Sequence, residues 1–79
     1  MKPIYILWDD ANTNHGWTEA SEVAEEKLST VRTLGFLVSE GELSFTVSLC
    51  WSEDSVNGWV IIPKAWIREI RYLPEEILL

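Results

Sequence analysis

Asp10, Asn12 and Asn14 stand at alternate positions, the spacing with which oxygen ligands open a calcium loop, and Glu22 follows where a closing carboxylate would be sought. The register fails. Such a loop needs Gly at its sixth position and Glu at its twelfth, and counting from Asp10 those places hold His15 and Ser21. No metal or other cofactor is expected, and the segment reads as a solvated turn rich in Asp and Asn. Ligand binding is a second chemistry for the same stretch. Trp8 and Trp17 flank Asp9, Asp10, Asn12, Asn14 and His15. Two indoles around carboxylate, amide and imidazole groups are what a site for a planar, nucleotide-like ligand would use. A cationic group would also sit against an indole face. The competing reading is that both rings anchor the loop to the body of the domain.

Catalysis finds little to work with. His15 is the single histidine and Cys50 the single cysteine, so a nucleophile–base pair would have to use His15. Cys50 has no basic neighbour in sequence and no helix N-terminus to lower its pKa. The adjacent carboxylates Asp9-Asp10 and Glu25-Glu26 point apart on an extended chain and make no acid–base dyad. A non-enzyme is expected.

The formal net charge of −7 sets the kind of partner. Nucleic-acid binding is disfavoured, because it depends on Lys and Arg releasing counterions from phosphate, and a basic protein partner is favoured. Glu22, Glu25 and Glu26 gather on one acidic segment, where like charges three and four residues apart need solvent or cations. This face could mimic phosphate and enter a groove that normally holds nucleic acid, with electrostatics raising the on-rate. No apolar run reaches the roughly eighteen residues of a membrane span, and no basic region precedes an apolar stretch, so neither a span nor a signal peptide is expected. The lone Cys50 fits a reducing cytoplasm.

The elements that position these residues follow from periodicity. Ile4 to Trp8 reads as a first strand ending at Asp9-Asp10, followed by a polar loop to Gly16. Thr18 can cap a short helix reaching about Lys27. Val31 to Ser39 reads as a strand apolar on both faces, with Gly35 where a barrel strand would bend. Glu40-Gly41-Glu42 supplies a hairpin turn. Leu43, Phe45, Val47, Leu49 and Trp51 then alternate with polar residues and Cys50, as in a strand with one buried face. Ser52 to Gly58 reads as a polar loop and Trp59 to Ile62 as a strand stopped by Pro63. Pro63 to Leu73 is either a helix with Trp66, Ile70 and Leu73 on one face, or a tight turn followed by a strand, the second being preferred. One domain spans residues 1–79: strand and loop to 17, helix 18–27, barrel strands 28–73 and a tail 74–79.

That order of short helix, bent strand, hairpin, alternating strand and closing turn-plus-strand resembles the Sm-like fold, a small five-stranded SH3-like barrel. Val60-Ile61-Ile62-Pro63-Lys64-Ala65-Trp66-Ile67-Arg68-Glu69-Ile70 resembles that family's second motif. The resemblance implies a mainly β barrel with one short helix and places Lys64 where bacterial members carry an RNA-contacting base, with Arg68 and Arg71 nearby. Trp8-Asp9-Asp10-Ala11, Gly16-Trp17, Leu34-Gly35-Phe36-Leu37-Val38 and Ile62-Pro63-Lys64 are also similar to short proteins of tailed bacteriophages. That resemblance implies an inhibitor or sponge acting against host defence in the host cytoplasm.

With 79 residues and no possible internal disulfide, the core is small. Five tryptophans (Trp8, Trp17, Trp51, Trp59 and Trp66), each able to bury roughly 150–250 Å², exceed what it needs. One or two rings are therefore expected in a pocket or a subunit interface, with Trp59 and Trp66 as candidates. The strands at Trp59 to Ile62 and Ile67 to Leu73 are expected to be sheet edges that pair with another copy, giving a dimer or small ring. The function expected is a non-catalytic binding protein acting on a host protein or small host signal. The alternatives are an Sm-like nucleic-acid chaperone using Lys64, Arg68 and Arg71, and an oligomeric scaffold.

Overall fold

The strand alternation is realised in a computed structural model that describes residues 1–13 and 15–77; Asn14 and the last two residues of the tail lie outside the described residues. Five antiparallel strands form one sheet: β1 (Lys2–Asp10), β2 (Ser29–Glu40), β3 (Ser44–Ser52), β4 (Ser55–Pro63) and β5 (Ile67–Tyr72). Their order across the sheet is β4-β3-β2-β1-β5. Among the described residues no ladder joins β4 to β5, so by hydrogen bonding the sheet is open, with those two strands as its edges.

One face is apolar because the strand period puts alternate residues inward. Ile4, Ile6 and Trp8 of β1, Phe45 and Val47 of β3 and Ile62 of β4 form the buried core, with Val31, Leu37, Val60, Ile67 and Ile70 packed against it. The indole N–H of Trp8 donates to Thr33 Oγ1 at 3.0 Å, satisfying a polar group that burial would otherwise strand. Gly35 is buried where β3 crosses closest to β2. A Cβ there would overlap the Ser48 carbonyl oxygen and lie 2.8 Å from Val47 Cγ1.

The expected alternation holds as a strand from Phe45 to Trp51, Leu43 lying in the bend before β3, but its buried face is short. β3 pairs with β2 only from Phe45 to Ser48, so Leu49 and Trp51 run past the core and are exposed, as is Leu43. The segment read as a loop from Ser52 to Gly58 is instead a tight turn at Glu53-Asp54, followed by the first residues of β4. The ladder Cys50↔Asn57, Trp51↔Val56 and Ser52↔Ser55 extends the hairpin. It needs no apolar alternation because neither face there meets the core.

Pro63 to Leu73 is turn plus strand. A single 3-10 turn at Lys64–Trp66 leads into β5, tied back by the Lys64 N–H to the Leu43 carbonyl at 2.8 Å. A β-bulge near the start of β5 sets Ile67 and Ile70, three residues apart, on the same side. Trp8 pairs with Ile67 and Leu7 with Glu69, so Arg68 is the extra residue, and both Ile67 and Ile70 reach the core.

The helix is much shorter than the expected 18–27. It comprises only α1 (Ala20–Val23), buries nothing, and takes Glu19 rather than Thr18 as its N-cap, without a side-chain cap bond. Uncapped, rich in like charges and unpacked, it lacks what sustains a longer helix in water.

Candidate functional site

The two indoles that flank the nominated loop stand in different surroundings. Trp8 is only 6% exposed and stacks on Trp66, with ring centroids 6.4 Å apart and planes inclined by 15°. Trp17 is fully exposed, and His15 is exposed. The polar residues are largely spent on the loop itself. Asp10 Oδ1 accepts the Ala11 N–H at 2.8 Å. Asn12 Nδ2 donates to the Lys27 carbonyl at 2.9 Å while its Oδ1 accepts from Ser29 Oγ at 2.8 Å, so Asn12 closes the long excursion from β1 to β2. Asp9 Oδ1 accepts from Thr30 Oγ1 at 3.4 Å and lies 3.7 Å from the Arg68 guanidinium.

Asp9, Trp66 and Arg68 do meet. With Leu28, Ala65 and Ile67 they line a hollow of about 290 Å³ below the bulge of β5. The hollow's two charges already face each other. Lys64 is engaged within the chain too: its ammonium lies 3.0 Å from Glu40 Oε2 and 5.2 Å from the centroid of the Phe45 ring. Arg71 pairs with Glu69 at 2.7 Å. The three cations nominated for RNA thus each have an acidic neighbour, while Glu22, Glu25 and Glu26 are exposed.

Cys50 is exposed, and its thiol lies 3.7 Å from the Asn57 carbonyl oxygen. Among the described residues no three His, Cys, Asp or Glu side chains gather as metal ligands would.

A different site arises where the sheet splits. β2 pairs with β1 from Ser29 to Leu37 but with β3 only from Phe36 onward, and β3 continues past Ser48 beside β4 alone. The two halves diverge at Gly35 and Ser48, and the gap is a cleft of about 240 Å³ lined by Thr33 and Leu34, Ser48 and Leu49, and Trp59 and Val60. None of these carries a charge. Ser48 and Trp59 are cross-strand partners and so share one face. Trp59 is 64% exposed, whereas Ser48 is 1% exposed and its Oγ has no hydrogen-bond partner among the described residues. A buried hydroxyl without a partner carries an unpaid desolvation penalty of about 1–3 kcal/mol, which a ligand group supplying the bond would relieve. On the far side of Leu34 and Leu49 a second apolar hollow of about 320 Å³ continues to Phe36, Leu73 and Ile77.

Sequence reasoning named Trp59 but not Ser48, Leu34 or Leu49. The signal available was that Leu34 is a large apolar residue on the face of β2 opposite Val31 and Leu37, and that Leu49 prolongs the apolar face of β3 past Phe45 and Val47.

No family model, curated protein or solved structure matches the chain.

Proposed function

We infer that the chain is a non-catalytic binding domain whose cleft between β2, β3 and β4 takes one apolar side chain of a protein partner. The observation that carries this reading is the pairing of an unpartnered buried hydroxyl, Ser48, with an exposed indole, Trp59, in an uncharged cleft. At about 240 Å³ the cleft is below the roughly 300–1,000 Å³ of sites for whole small molecules. It suits a single anchor with an apolar body and one hydrogen-bonding atom, such as Tyr or Trp, and residues of that kind dominate binding energy at interfaces. Burying such a group contributes about 1.5–3 kcal/mol. The charge of −7 favours a partner with basic residues around that anchor.

The finer reading of the fold belongs to the same proposal. The strand order β4-β3-β2-β1-β5, the close approach of β3 to Gly35 and the 3-10 turn between β4 and β5 support an Sm-like barrel. The pairing of Lys64, Arg68 and Arg71 with acidic neighbours favours a protein partner over RNA. In the setting implied by the resemblance to phage proteins, that partner is a host factor.

The test is a comparative capture from bacterial lysate with the wild-type protein and Leu49→Asp, followed by mass spectrometry. Basic proteins retained by wild type and lost with Leu49→Asp are expected. Equal retention by both, or retention of RNA alone, contradicts the reading.

A further inference from the structure

We propose that the protein is a two-fold dimer joined along β4, with a second copy as the partner of that edge. β4 ends the sheet, so the main-chain N–H and C=O groups along its outer side meet no strand among the described residues of the same chain. Natural sheets protect such edges with charges, bulges or brevity. β4 has none of these over Ser55–Pro63: nine residues without a charged side chain, with Trp59 and Ile61 exposed side by side on one face. The opposite edge is defended. β5 has six residues, among them Arg68, Glu69 and Arg71, and carries the bulge at Arg68.

The surface area points the same way. A folded chain of 9.1 kDa should expose about 4,900 Å², whereas this one exposes 6350 Å². Its radius of gyration of 15.8 Å compares with about 12 Å for a compact chain of this length. Part of the excess belongs to the segment between β1 and β2, whose described residues up to Leu28 are exposed. Even half of an excess of about 1,400 Å² approaches the roughly 800 Å² that each partner contributes to a stable interface.

Geometry selects the axis. Antiparallel self-pairing centred on Val60 sets Trp59 opposite Ile61 of the partner subunit, twice over, an aromatic and β-branched pairing of the kind that stabilises sheets. It also puts Pro63, which has no N–H to donate, opposite Asn57 of the partner subunit, at the very end of the shared ladder. A centre on Ile61 would instead place Pro63 opposite Trp59. The contact is self-complementary, as a two-fold interface must be. The charges of the two copies lie off this edge, where a Debye length of about 8 Å at physiological salt screens them. The dimer does not depend on the cleft being a binding site.

Light scattering at micromolar concentration should give twice the 9.1 kDa of one chain. Ile61→Lys, on the exposed face, should weaken association at least about 30-fold, the effect of losing one interface hot spot, while leaving the β-sheet circular dichroism intact. Tyr72→Lys on β5 should remain a dimer. A wild-type mass of one chain, a mass above two, or dissociation by Tyr72→Lys in place of Ile61→Lys overturns the proposal. Hydrogen exchange on the wild type supplies a test independent of variant folding. The amides of Trp59 to Ile62 should exchange more slowly as concentration rises, and exchange that ignores concentration overturns it. A monomeric Ile61→Lys that still takes up indole or phenol in the cleft separates this proposal from the binding reading.

Discussion

Gly35 of β2 lies so close to Ser48 of β3 that a side chain at position 35 would overlap the Ser48 carbonyl oxygen. This close approach is where β2 exchanges one neighbour for another. Gly35→Ala should therefore destabilise the fold by about 1–3 kcal/mol, the range for inserting atoms into a packed interior. Urea denaturation measures it, and a change below about 0.5 kcal/mol, as at an ordinary surface site, would show that the strands are not held together there.

Trp8 and Thr33 form a partly buried donor–acceptor pair. Thr33→Val removes the acceptor and should cost about 1–3 kcal/mol by leaving the indole N–H unsatisfied. Adding Thr33→Val to Trp8→Phe should cost less than it does in wild type. Additive losses in the double-mutant cycle would mean that the bond contributes nothing of its own.

Ser48→Ala should move two readouts in opposite directions. Removing a buried hydroxyl that has no partner should leave stability unchanged or raise it by up to about 1 kcal/mol, whereas binding of a hydrogen-bonding anchor should weaken. A clear loss of stability would indicate that the hydroxyl is already satisfied in the folded protein.

Lys64, Arg68 and Arg71 bear on the alternative of an RNA chaperone. Because each has an acidic neighbour in the chain, single-stranded RNA should bind weakly at physiological salt. Submicromolar affinity that falls steeply as salt rises would favour the chaperone over the protein-binding reading.

Much of the sheet is legible in the residues. The alternation around Phe45 and Val47, the turn at Gly41 and the turn-plus-strand after Pro63 all follow from strand period and turn chemistry. The turn at Glu53-Asp54 is not legible, because the hairpin there extends beyond the core and no burial enforces alternation on Ser52 to Gly58. The bulge at Arg68, which turns both Ile67 and Ile70 to the core, is not legible either. Only Trp8 of the five tryptophans is buried, so more rings lie outside the core than the expected one or two. The cleft is hidden for a related reason. Ser48 looks like any outward residue of β3 until the register of β2 against β3 and the divergence after Phe36 are known, and neither is written in local sequence.

The most direct measurement of the cleft is an amide NMR titration with phenol and with indole, each an aromatic ring carrying one hydrogen-bonding group. Shifts are expected at Thr33, Leu34, Ser48, Leu49, Trp59 and Val60, with weaker binding in Ser48→Ala. No shifts at these residues, or shifts confined to the segment from Trp8 to Trp17, would contradict the assignment of the binding site to the split between β2 and β3.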